Sequence, residues 1–282
     1  MEKLFLVADH CFSIVGDHAV PAIESLPGFS KFNIQTGTPE FSFVESDAIP
    51  ALDTSQYSFV HEGVKVTFGL HSSGHLLQMI PEEGDALYLW STVGRKTIHM
   101  AGNFTTRLYN YALWVGYGLM TLPKNTVAIH SSCIVHDGRA VLFLGESGTG
   151  KSTHTGLWCK HIEDAYLLND DSPIIRAIDG KIWAYGSPWS GKTAYHKQER
   201  HPLAGCVRLS QAPENRIQKL PTLQAYAALH PSCPPTFAYD TELYDCISDM
   251  IGAILASTPV YHLACRPDKD AATLAHTNVF QK

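Results

Sequence analysis

The chain has 282 residues, 45% of them hydrophobic, and a formal net charge of −6 at neutral pH. That length and apolar content suit one large domain or two modest ones with full cores. The acidic balance, with no lysine or arginine stripe able to displace counterions, excludes a nucleic-acid partner, and no apolar run approaches the length of a membrane span.

At the N-terminus the apolar run before Asp9 is too short for a signal peptide, so the expected location is cytoplasmic. The seven cysteines are widely spaced, odd in number and never in a C-x-x-C pattern, which suits reduced thiols, mostly in the core. Fifteen histidines include the pairs His71/His75 and His196/His201. Without a supporting cluster of carboxylates or thiols they read as surface residues rather than metal ligands.

The first hundred residues read as β-structure. Residues 57–60, 64–68, 75–80 and 86–90 are short, rich in β-branched and aromatic side chains, and separated by glycine, proline or acidic turns, which predicts a meander or small sandwich. Residues 46–55 read as a loop. Phe104, Leu108, Tyr111, Ala112, Val115 and Leu119 follow a three-and-four spacing that predicts an amphipathic helix over residues 104–120. Pro123 is taken as the joint between a mainly β domain, residues 1–122, and a second domain, residues 123–282.

The second domain begins with a predicted strand over residues 127–136, an Asp137-Gly138 turn, and a return strand over residues 139–144. That strand enters Gly145-Glu146-Ser147-Gly148-Thr149-Gly150-Lys151-Ser152-Thr153, a complete G-x-x-x-x-G-K-[ST] phosphate loop. The three glycines allow positive φ angles, so that successive N–H groups form an anion nest. Lys151 neutralises β- and γ-phosphates, Ser152 is the expected magnesium ligand, and a helix from about Lys151 points its positive end at the same charge. A nucleoside triphosphate, taken as ATP, and Mg²⁺ are therefore the expected cofactors.

Asp170 and Asp171 end the next apolar segment, with Asp170 placed 19 residues after Lys151, room for one helix and one return strand. Beside a triphosphate, one carboxylate of such a pair can hold Mg²⁺ while the other takes the proton of an attacking hydroxyl. Residues 172–176 and 181–185 predict a hairpin turning at Asp179-Gly180. Further elements are a strand at residues 205–210, a helix from Pro221 to His230, a proline-rich break at residues 231–235, a helix over residues 243–255, a strand over residues 260–265, and Asp268 as N-cap of a helix over residues 269–276. Arg208, Arg216 and Arg266 read as surface or packing residues, with the nucleotide site as the alternative.

The run Ile129-His130-Ser131-Ser132, the hairpin, the phosphate loop and Asn169-Asp170-Asp171, in that order, resemble the catalytic domain of HPr kinase/phosphorylase. They are more distantly similar to the nucleotide-binding core of ATP-dependent phosphoenolpyruvate carboxykinase. The match is detailed over residues 127–176. It implies an α+β fold in which an α/β-like catalytic core follows the β domain. It also implies Asp170 as general base towards a serine hydroxyl, His130 tuning it, and Asp171 beside the metal held by Ser152. Where HPr kinases carry a glutamate, residues 185–192 hold no acidic residue and read as a glycine-hinged lid presenting Trp189 and Lys192.

The N-terminal part does not resemble that of HPr kinases. Kinases of this family acting on other serine-bearing acceptors, such as lasso peptide precursors, are nearer in layout. The expected acceptor is a hydroxyl on a peptide, a protein or a small molecule, and homo-oligomerisation is left open. A carboxykinase is the rival enzyme, disfavoured by the small room for its substrate domain and the lack of an arginine set for a dicarboxylate. A non-catalytic nucleotide-binding module is the rival of another class; its mark, loss of a catalytic group, is missing.

Overall fold

Two-residue turns shape both sheets of this computed structural model, which describes residues 1–191 and 197–280. Ala8 and Asp9, Glu62 and Gly63, Asp137 and Gly138, and Asp179 and Gly180 each take two successive positive φ angles. That backbone twist matches the twist of paired strands. The chain divides into two units, Met1–Lys124 with Thr236–Tyr244, and Asn125–Pro235 with Asp245–Lys282.

The first unit holds β1 (Glu2–Val7), β2 (His10–Val15), α1 (Ala19–Glu24), β3 (Asn33–Ile34), β4 (Phe41–Glu45), β5 (Thr54–His61), β6 (Val64–His71), β7 (Gly74–Pro81), β8 (Leu87–Ser91), β9 (Thr97–Gly102) and α2 (Thr106–Thr121). Its nine strands form one sheet in the order β3-β1-β2-β4-β9-β8-β7-β6-β5. The strands β5 to β9 are an antiparallel meander, as the spacing predicts, and β4 joins it to the N-terminal hairpin by running parallel to both β9 and β2. A second sheet, which a sandwich requires, is replaced by α2. That helix buries Leu108, Ala112, Val115 and Leu119, and it comes so close to the sheet that a Cβ on Gly116 would lie 2.5 Å from the Phe43 ring. The segment Thr236–Tyr244 packs here too, with Phe237 edge-on to Phe68 at 5.9 Å and Asp240 accepting from Gln56 at 2.9 Å.

The second unit holds β10 (Thr126–Ala128), β11 (Ser132–His136), β12 (Arg139–Leu144), α3 (Lys151–His161), β13 (Tyr166–Asn169), β14 (Ile174–Ile178), β15 (Lys181–Tyr185), β16 (Arg200–Gln211), β17 (Arg216–Lys219) and α4 (Thr222–Leu229), and later β18 (Val260–Cys265) and α6 (Lys269–Phe280). Helix α5 (Thr241–Ser257) lies between α4 and β18 in sequence. The sheet order is β10-β14-β15-β16-β12-β11-β13, with β18 paired to both β16 and β17. The strands β12, β16 and β18 are parallel, and the remaining pairs are antiparallel. Trp158 of α3 and Ala272 and Ala275 of α6 close a core over Ile134, Phe143, Val207 and Leu263. Asp268 caps α6 as expected, its Oδ1 accepting the Ala271 N–H at 2.9 Å.

The strand expected over residues 127–136 is in fact two. Between them the N–H groups of Ile129, His130 and Ser131 leave the ladder and donate to Pro173 O at 3.2 Å, Ser232 O at 2.7 Å and Asp171 O at 3.0 Å. Backbone groups must be paired when buried, and here the partners come from two loop residues and the end of a short 3-10 helix, His230–Ser232, instead of a neighbouring strand. The break leaves the His130 side chain 46% exposed.

Candidate functional site

The site grows from the end of β12. Gly148 and Gly150 take φ angles of 82° and 101°, and Gly145 takes 150°. A Cβ on Gly145 would lie 2.5 Å from Thr149 Oγ1. That hydroxyl donates to Glu146 O at 2.8 Å, holding the loop closed on itself. Helix α3 starts at Lys151 with Gly150 as its N-cap and no side-chain cap, which leaves its first N–H groups and its positive end to the loop.

Lys151 is 9% exposed and donates to Gly145 O at 2.7 Å and Glu146 O at 3.2 Å. Its ammonium also lies 3.2 Å from Nε2 of His130. An ammonium only donates, so this nitrogen of His130 must present its lone pair, leaving the proton on Nδ1, which faces Asp171 Oδ1 at 3.2 Å. Burial pulls the Lys151 ammonium below its ordinary pKa, and the carboxylates of Asp171 and Asp170 oppose that shift.

Asp170 faces the other way. Its Oδ1 accepts the Ser132 hydroxyl at 2.6 Å and the Ser152 hydroxyl at 3.2 Å. The two neighbouring aspartates are therefore divided: Asp170 goes to the helix and its serine, Asp171 to the histidine. This is the reverse of the pairing that the family resemblance implies, in which His130 attends Asp170. Ser152 and Asp170 supply two hard oxygen donors, a set that fits Mg²⁺, which keeps waters and takes phosphate oxygens for its remaining positions. Among the described residues no group of three or more His, Cys, Asp or Glu side chains forms a metal cluster.

Asn169, fully buried, fixes the aspartates from behind. Its Oδ1 accepts the N–H groups of Asp171 at 3.0 Å and Ser172 at 2.9 Å, while its amide donates to Ser187 Oγ at 3.1 Å and to Trp189 O at 3.3 Å. Ser187, also buried, donates to Ser172 O at 2.6 Å. The sequence reading gave no role to Ser132, Asn169 or Ser187, although the first two stand beside residues it did single out.

Trp189, expected on a hinged lid, is 3% exposed and tied down by this network, so it is a packing residue. Lys192 lies outside the described residues. Gly191 passes directly over the aspartates, where a Cβ would lie 3.4 Å from Asp170 O and 3.5 Å from Asp171 Cβ.

Of the three arginines, Arg208 approaches the Glu146 carboxylate at 3.8 Å and Arg266 borders a cavity beside the loop. Arg216 instead holds Glu214 at 3.0 Å. His71, read as a surface residue, is buried with Nε2 at 2.9 Å from Ser91 O, and His75 sits 3.1 Å from Asp240. All seven cysteines are free thiols, and Cys133, Cys206 and Cys233 are buried. No helix among the described residues is long and apolar enough to cross a membrane.

No family model matches the chain, and no curated protein matches it. Among solved structures it is similar to the HPr(Ser) kinase/phosphatase from Coxiella burnetii, at 12% identity over 53% of this chain and 91% of that one, with a TM-score of 0.30.

Proposed function

We propose that this chain is an ATP-dependent phosphotransferase that passes the γ-phosphate to a hydroxyl, a serine of a peptide or protein or a hydroxyl of a small molecule. The observation that supports this most is the division of two carboxylates around Lys151, Asp170 on the Ser152 hydroxyl and Asp171 on His130. A bare nucleotide-binding module needs only the first of these. A kinase needs both, one for the metal and one for the proton.

In this reading the loop N–H groups and Lys151 hold the β- and γ-phosphates, with Lys151 giving up its contacts to the Gly145 and Glu146 carbonyls and to His130. Ser152 and Asp170 would hold Mg²⁺, which when bound neutralises phosphate charge. Ser132 keeps Asp170 turned towards Ser152. Asp171, oriented by His130 and by the Ser172 hydroxyl at 3.2 Å, accepts the proton of the attacking hydroxyl. The acceptor oxygen bonds to phosphorus as the bond to the β-phosphate bridging oxygen breaks, giving a phosphomonoester and ADP. Positioning and charge neutralisation carry most of such a reaction.

The assay is γ-labelled ATP with Mg²⁺ and a lysate of the native host, followed by analysis for acid-stable phosphoserine. Transfer by the unaltered chain that is lost in Asp171→Asn, with ATP binding retained, supports the kinase. ATP binding with no transfer to any acceptor supports the non-catalytic module.

A further inference from the structure

A cavity of about 630 Å³ opens beside the phosphate loop, a volume within the range of small-molecule sites. Gly150 and Thr153 lie on its loop side, and Leu209, Gln211, Cys265 and Arg266 line it opposite. Leu209 and Gln211 end β16 and Cys265 ends β18, both parallel to β12, which delivers the loop. The cavity therefore lies outside the carboxyl ends of parallel strands, where α/β sheets take their ligands. A ligand whose phosphates occupy the loop must extend its remaining part past the same glycines that border this space.

We infer that this cavity is the nucleoside pocket of the phosphate loop and that Gln211 selects a base with an amine at the purine 6-position, adenine over guanine. The inference rests on the phosphate-loop reading above and adds where the nucleoside sits and which side chain selects its base. The Gln211 amide donates to Gly148 O at 3.3 Å, which leaves its carbonyl oxygen as an acceptor in the lining. An acceptor pairs with the amine of adenine and is mismatched with the carbonyl that guanine carries at that position. Arg266 borders the cavity with its Nε 3.0 Å from Asp268, and its planar guanidinium is suited to lie against a base. Leu209, 4% exposed, supplies apolar surface.

The full chain is titrated with ADP, GDP and inorganic pyrophosphate, which fills the loop without a nucleoside. Ala212→Phe narrows the cavity at a partly exposed lining residue; it should weaken ADP at least about tenfold and leave pyrophosphate within about twofold. Gln211→Ala should bring ADP and GDP to equal affinity. In the unaltered chain ADP, but not pyrophosphate, should shield the Cys265 thiol from a maleimide, with exposed Cys159 labelled alike throughout. Equal weakening of ADP and pyrophosphate by Ala212→Phe, or labelling of Cys265 at an unchanged rate under saturating ADP, overturns the pocket and leaves the phosphate loop standing. Failure of the unaltered chain to bind either ligand overturns both.

Discussion

The Ser152 hydroxyl donates to Asp170 Oδ1 across 3.2 Å, so the serine of the phosphate loop and the first of the two aspartates share one oxygen-rich corner. If that corner holds Mg²⁺, Asp170→Asn raises the magnesium needed for half-maximal activity by about 10-fold or more, in line with the cost of disturbing a metal site. Ser152→Ala does the same, and the double variant falls short of the product of the singles because both act on one ion. A magnesium titration of initial rates checks this.

Asp171→Asn should lower the rate of phosphate transfer by about 10²- to 10⁴-fold, the range of general acid–base catalysis, with nucleotide affinity unchanged. His130→Gln, which acts on Asp171 from 3.2 Å, should give a smaller loss of the same kind. Single-turnover transfer measured beside fluorescent ADP titration separates chemistry from binding.

Asn169→Ala should destabilise the second unit by about 2–4 kcal/mol, because it strands several buried donors and acceptors at once. Asn169 is fully buried and bonds to Asp171, Ser172, Ser187 and Trp189. Chemical denaturation should show an earlier midpoint, and the folded variant should also lose transfer as the aspartate turn loosens.

Burial pulls His154 from its ordinary pKa of 6.5 down to about 4, and its Nε2 accepts the Trp158 indole N–H at 3.2 Å. The folded chain therefore binds fewer protons than the unfolded chain in this window. Stability is full above pH 6.5 and declines as pH falls towards 4, by about 3 kcal/mol from this group. Burial lowers His99 and His276 with the same sign. Denaturation midpoints at graded pH test it, and His154→Gln, which keeps an acceptor for Trp158 and does not titrate, should flatten the slope.

What the sequence makes legible is local. The phosphate loop, the Asp137-Gly138 and Asp179-Gly180 turns and the spacing of α2 all express short-range rules, and each appears where its residues predict. The first hairpin was hidden because Ala8 and Asp9, not a glycine pair, adopt its two positive φ angles. Non-local partners explain the rest. Nothing in the run of residues 127–136 shows that Pro173, Ser232 and Asp171 will take its N–H groups and split the strand. Trp189 looks presentable beside glycines until Asn169 and Ser187 bury its backbone. The aspartate pair was visible, but which oxygen meets which partner depends on Ser132 and His130 arriving from another strand end.

The different work of the two aspartates is separated by measuring transfer from γ-labelled ATP by Asp170→Asn and Asp171→Asn, each at low and saturating Mg²⁺. Saturating magnesium should restore a substantial part of Asp170→Asn activity and none of the activity lost in Asp171→Asn. Recovery of Asp171→Asn by magnesium, with Asp170→Asn inactive at every concentration despite bound ATP, would contradict it.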